Sequence, residues 1–101
     1  VQVIKHHFIG PRLYIREIRL EEGEEICQHA HNYDHTSYLS EGEVLFGDDY
    51  YVAPAEIHVP AGVEHAVAAL VGPVHWTCCH LIQDTTLFNE NNIDEVLIKH
   101  A

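Results

Sequence analysis

Gly23-Glu24-Glu25-Ile26-Cys27-Gln28-His29-Ala30-His31-Asn32-Tyr33-Asp34-His35 sets three imidazoles in the arrangement His-x-His-x3-His, and a fourth follows in Pro60-Ala61-Gly62-Val63-Glu64-His65. On an extended strand residues i and i+2 point to one face, so His29 and His31 share a face and can reach one ion above it. Asn32-Tyr33-Asp34 gives the chain room to turn and bring His35 in from the next strand. The tight turn Pro60-Ala61-Gly62-Val63 lets His65 approach from the opposite wall. A lone histidine is ordinarily a surface or core residue. Four at this spacing in a chain of 101 residues point to a site for a first-row transition metal.

Outward from this stretch, short runs rich in β-branched and aromatic residues alternate with Gly, Pro and acidic turns, the pattern of an all-β sandwich or barrel. Strands are expected near 2–9, 12–20, 25–31, 35–40, 43–46, 50–53, 56–59, 65–71 and 74–82. Gly10-Pro11, Glu21-Glu22-Gly23, Glu41-Gly42, Gly47-Asp48-Asp49, Ala61-Gly62 and Gly72-Pro73 mark the turns. The tail differs: Ile93, Val96 and Leu97 recur at i, i+3, i+4, which predicts a short helix within 90–99, with Asn92 as its cap. No repeat, low-complexity segment or linker interrupts the chain, so residues 1–101 are expected to form a single domain.

Composition narrows the function. A formal charge of −11, from five Lys plus Arg against sixteen Asp plus Glu, leaves few cations for phosphates and argues against nucleic-acid binding. The hydrophobic fraction of 47% argues against a disordered chain. No apolar run approaches the roughly 18 residues of a membrane span, and no charged-then-apolar leader precedes the first expected strand. Cys27, Cys78 and Cys79 are odd in number and two are adjacent, a poor disulfide framework that favours a reducing compartment. A cytoplasmic protein without membrane contact is the expectation. There is no Cys-x-x-Cys pair, serine nucleophile elbow, phosphate-binding glycine loop or dinucleotide fingerprint, so any chemistry has to belong to the metal.

Residues 23–69 resemble the two motifs of the cupin superfamily. The first, G-x5-H-x-H-x3/4-E-x6-G, is met by Gly23, His29, His31, His35 and Gly42; the second, G-x5-P-x-G-x2-H-x3-N, by Pro54, Pro60, Gly62, His65 and Ala69. The departures are His35 for the glutamate, Pro54 for the opening glycine and Ala69 for the closing asparagine. The resemblance implies a cupin-type double-stranded β-helix, or jelly-roll barrel. It also implies one divalent transition metal (Fe, Mn, Ni, Cu or Zn) held by His29, His31, His35 and His65. With His35 in place of a carboxylate, such a centre keeps a formal charge of +2 rather than +1 and favours anionic oxygen ligands. The implied function is enzymatic, on a small oxygen-rich anion, dioxygenase-like first and Lewis-acid isomerase or lyase second. The alternative is a non-catalytic module that binds a small ligand or metal as a sensor or accessory protein. A homodimer is implied as well, with the strands in 2–20 exchanging or pairing at their edges.

Strand parity assigns neighbours to the site. Cys27 is expected on the face of His29 and His31, as a soft neighbour or as a small buried residue. Ser37 shares the parity of His35 while Tyr38 points away, and Val67 and Ala69 share that of His65. In 74–82 one face carries Trp76, Cys78 and His80 and the other His75, Thr77 and Cys79. His80, His75 and Ser37 are the candidates for proton handling beside the metal, although for His80 and His75 taken singly a structural role is the plainer reading. Asp34 is expected either to orient an imidazole or to serve the turn, His58 to face outward, and His6 and His7 to lie at a surface or interface.

Overall fold

The computed structural model describes residues 1–28 and 33–82, together with Asn91 and Ile93. Among these described residues seven strands form: β1 (Gln2–Ile9), β2 (Leu13–Leu20), β3 (Glu25–Gln28), β4 (His35–Phe46), β5 (Asp49–Val52), β6 (Ala55–Val59) and β7 (His65–Leu81). All pairings are antiparallel, in the order β1-β2-β7-β4-β5, with β3 on β7 and β6 on β4.

Two expected breaks are absent. Segments 35–40 and 43–46 are one strand, β4, and segments 65–71 and 74–82 are one strand, β7. Each long strand changes partners along its length. The first half of β4 pairs with β6 and with the second half of β7, from Thr36↔Cys79 to Leu39↔Trp76. Its second half pairs with β5 and with the first half of β7, from Glu43↔Val71 to Phe46↔Val67. β2 joins the second half of β7 and β3 the first half. The two strands thus run through both layers of a sandwich, and the register shifts between Leu39 and Val44 mark the corner.

Glycine explains why turn signals became bends. Gly42 has φ +91°, and a Cβ there would sit 2.6 Å from the Pro73 carbonyl oxygen and 2.7 Å from Val74 Cγ2. A Cβ on Gly72 would meet the Glu22 backbone nitrogen at 2.6 Å. The two corners therefore nest backbone to backbone, an approach open only to glycine.

The core lies between the layers: Ile18 and Leu20 from β2, Leu39, Val44 and Phe46 from β4, Ile57 and Val59 from β6, and Val67, Ala69, Val74, Trp76 and Cys78 from β7. Alternation in β4 sends His35, Ser37 and Leu39 inward and Thr36, Tyr38 and Ser40 outward. In β7 it sends Val74, Trp76, Cys78 and His80 inward. A smaller cluster joins Tyr14, Ile82 and Ile93. The predicted terminal helix and its Asn92 cap otherwise lie outside the described residues, as do 29–31 of the strand predicted over 25–31. Among the described residues no helix is long and apolar enough to cross a membrane.

Candidate functional site

The register Thr36↔Cys79 brings His35, first residue of β4, beside His80 on the inner wall. Both are buried, and their rings stack with centroids 4.6 Å apart at 28°. Tyr33, just ahead of β4, stands edge-on to both rings and carries its hydroxyl oxygen to 3.2 Å from His80 Nδ1. Burial, reinforced by nearby Cys78, pushes the Tyr33 phenol up to about 12, so it is neutral at ordinary pH. On the far side His80 stacks on Tyr14 at 6.0 Å. The Tyr14 hydroxyl accepts a hydrogen bond from Arg16 Nε at 2.7 Å and lies 2.6 Å from His6 Nδ1. One rung along, the buried Ser37 hydroxyl donates a long bond to Cys78 Sγ at 3.8 Å.

His65 opens β7, opposite Gln28 of β3 and hence beside the residue that precedes His29. Its ring stacks on Phe46 at 4.4 Å, and Phe46 stacks on Trp76 at 5.9 Å. His65 Nε2 is buried and has no hydrogen-bond partner among the described residues. Leaving a buried polar atom unpaired costs about 1–3 kcal/mol. An imidazole nitrogen in that state is chemically suited to donate its lone pair to a metal ion, so the residue fits the implied group. The turn before it is braced by Asp34, whose Oδ1 accepts from the Ala61 backbone N–H at 2.7 Å while Oδ2 lies 3.5 Å from the outward-facing His58. Asp34 thus serves the turn of the second motif, the turn role among its two expected roles.

The structure takes His75 and Cys27 away from this cluster. His29 and His31 lie outside the described residues, and among those described no group of three or more His, Cys, Asp or Glu is arranged to hold a metal ion. His75 is on the outer face of β7, 2.8 Å from Glu17, and so is not beside His35 and His80. Cys27 is a correction: it is exposed, because Ile26, opposite the fully buried Val67, is the residue of β3 packed on the core. Ser37, Val67 and Ala69 face inward as parity required. Sequence reasoning passed over Tyr33, Tyr14 and Phe46. Tyr33 was available as the parity partner of His35, whereas Tyr14 meets His80 only through the β2–β7 pairing, and Phe46 meets His65 only through the bend of β4.

No protein-family model and no curated protein matches the sequence. Solved structures do. A cupin superfamily protein from Desulfitobacterium hafniense DCB-2 superposes with a TM-score of 0.66 at 24% identity, over 81% of this chain and 79% of that one. KdgF from Halomonas sp. gives 0.64 at 14% identity, over 79% and 77%. This chain has the cupin fold. The polyketide cyclase RemF from Streptomyces resistomycificus matches as well, with a TM-score of 0.62 at 16% identity, over 80% of this chain and 62% of that one. At these identities the likeness carries the fold alone. The cupin framework positions are where the backbone needs them: Gly23, at φ +88°, donates to the Ala69 carbonyl at 2.9 Å, and Gly42 forms the β4 corner.

Proposed function

We propose that this chain binds one divalent transition metal (Fe, Mn, Ni, Cu or Zn) through His29, His31, His35 and His65 and acts on a small, oxygen-rich anionic molecule. The observation that carries the reading is the buried Nε2 of His65, without a partner among the described residues, at the second-motif position and next to the strand that leads into His29. When bound, an ion held only by neutral imidazoles supplies a strongly electrophilic centre for anionic oxygen ligands. Dioxygenase-like chemistry ranks first, Lewis-acid isomerisation or elimination second.

The chain's own residues have separable tasks. His80 is the proton-handling group, since its ring lies against His35 and its Nδ1 meets the Tyr33 hydroxyl. Tyr14 and His35 clamp that ring from its two faces. Phe46, Trp76, Leu39 and Val67 form an apolar wall that keeps water from the reacting groups. Two copies associate through β1. Among the described residues β1 is an edge strand; it exposes Val3, Ile4, Phe8 and Ile9 and carries no acidic residue, whereas the other edges β3, β5 and β6 carry Glu25, Asp49 and Glu56. In a chain of net charge −11, that makes β1 the edge least opposed to its own copy.

Metal analysis of the purified protein tests the centre. At least about 0.5 equivalent of one transition metal is expected, with His65→Ala losing most of it and melting at a lower temperature. Less than about 0.1 equivalent, together with no effect of His65→Ala on metal content or melting, would sink the proposal. Oxygen uptake after iron(II) reconstitution, against β-diketones, catechols, flavonols and thiols, tests the reaction. Full metal loading without turnover of any of them identifies the non-catalytic binding module instead.

A further inference from the structure

Strand register sets four rings in one row: Phe8 of β1 lies opposite Tyr14 of β2, Tyr14 opposite His80 of β7, and His80 against His35 of β4. Successive centroids are 5.2, 6.0 and 4.6 Å apart. The row starts at the exposed Phe8 and ends at a proposed metal ligand, and Tyr14 in its middle is fully buried. The Tyr14 hydroxyl accepts a hydrogen bond from Arg16 Nε at 2.7 Å and lies 2.6 Å from Nδ1 of the half-buried His6. A guanidinium only donates, so the phenol keeps its own proton to give, and His6 Nδ1 stands where a neutral imidazole can take it.

From this row we infer that Tyr14 is a redox-active residue, giving one electron toward His35 and its phenolic proton to His6, and so draining oxidising equivalents from the candidate centre to the surface at β1. The inference rests on the metal reading above and extends it to residues that hold no metal. A phenol that loses an electron becomes a strong acid. A base already at hydrogen-bond distance takes the proton in the same step and spares the charged intermediate. The neutral phenoxyl then keeps two N–H donors on its oxygen, from Arg16 and from protonated His6. Burial also protects it, because exposed phenoxyls such as those of Tyr38 and Tyr50 meet and couple.

The oxidant is hydrogen peroxide reduced at the proposed centre. Its O–O bond breaks on taking two electrons, one from bound iron(II), which becomes iron(III), and one from Tyr14. Two solvent protons complete two waters, and the phenolic proton stays on His6. Ascorbate in solution, itself oxidised to its radical, returns the electron to Tyr14, and His6 hands back the proton. Tyr33 is the competing phenol. Its hydroxyl oxygen is farther from its imidazole, 3.2 Å from His80 Nδ1, and its proton would pass to the inner wall rather than toward the surface.

Photo-oxidation of the purified protein by ruthenium tris-bipyridine and persulfate tests Tyr14 without any metal. Freezing after the flash should trap a persistent phenoxyl signal in electron paramagnetic resonance, narrowed by ring-deuterated tyrosine. Tyr14→Phe, which keeps the stacked ring, should lose most of that signal. His6→Gln, which keeps Tyr14 and removes the base, should slow its formation about a hundredfold, the size of a positioned base. A signal unchanged in Tyr14→Phe, or lost in Tyr33→Phe instead, would overturn the inference. Iron(II)-loaded protein treated with hydrogen peroxide tests the path to the centre: the native chain should give the same radical, and Tyr14→Phe should instead accumulate oxidised His35 and His80 by mass spectrometry. Iron content of the same sample separates the two readings. Loaded protein without the Tyr14 radical overturns the relay and leaves the metal centre standing, whereas protein that takes up no iron removes the relay's oxidant and the inference with it.

Discussion

His65 and Trp76 are the residues on which the candidate site can be interrogated most directly. Trp76 is the chain's single tryptophan, is fully buried, and reaches His65 through one intervening ring, Phe46. A paramagnetic ion bound at His65 should quench its emission. Titration with Cu²⁺ or Ni²⁺ is expected to dim the fluorescence at least about twofold and saturably with a stoichiometry near one, as an imidazole-rich site implies. His65→Ala should remove the saturable phase, and quenching that is equal in the variant would place the ion elsewhere. The imidazole spacing that makes His65 visible was legible in the sequence. The burial of its Nε2, without a partner among the described residues, was not, because it depends on Phe46 and β3 arriving from other parts of the chain.

Strands are where local reasoning and the fold part company. Alternation placed Ser37, Leu39, Val67 and Ala69 on the inner face correctly, since a two-residue period is a property of the backbone itself. It could not place β3, where Ile26 rather than Cys27 turns inward. The phase of a four-residue strand is set by its partner, here Val67, and a slip of one residue inverts every side chain. The corners at Gly42 and Gly72 read as turns for a related reason: glycine signals a bend, but only the neighbouring backbone decides whether pairing continues through it. Gly42→Ala tests this. Its φ of +91° and the Pro73 oxygen at 2.6 Å oppose a methyl group, so the variant should lose more than about 1 kcal/mol and melt several degrees lower. A melting temperature equal to that of the native protein would show that the corner opens without cost.

At the scale of the whole molecule, charge and edges govern association. A net charge of −11 opposes the approach of two copies, and the association proposed through β1 rests on a strand that carries Lys5, His6 and His7 and no acid. Sedimentation equilibrium is expected to give twice the chain mass of 11.5 kDa. Ile9→Lys, which adds a charge to an exposed position on that strand, should shift the protein to monomer without changing the far-ultraviolet spectrum. A dimer that survives the substitution would move the interface away from β1. The sequence by itself determined the all-β class, the shared face of His35, Ser37 and Leu39 and of His65, Val67 and Ala69, and the four histidines with their glycine and proline frame, because these rest on backbone periodicity and turn chemistry within a few residues. Only the tertiary structure decided that His80 and not His75 stands beside His35, that Tyr14 and Tyr33 hold it there, and that β4 and β7 each serve both layers. Those outcomes depend on which strands meet and in what register, and register is fixed by the burial of the whole core rather than by any one segment.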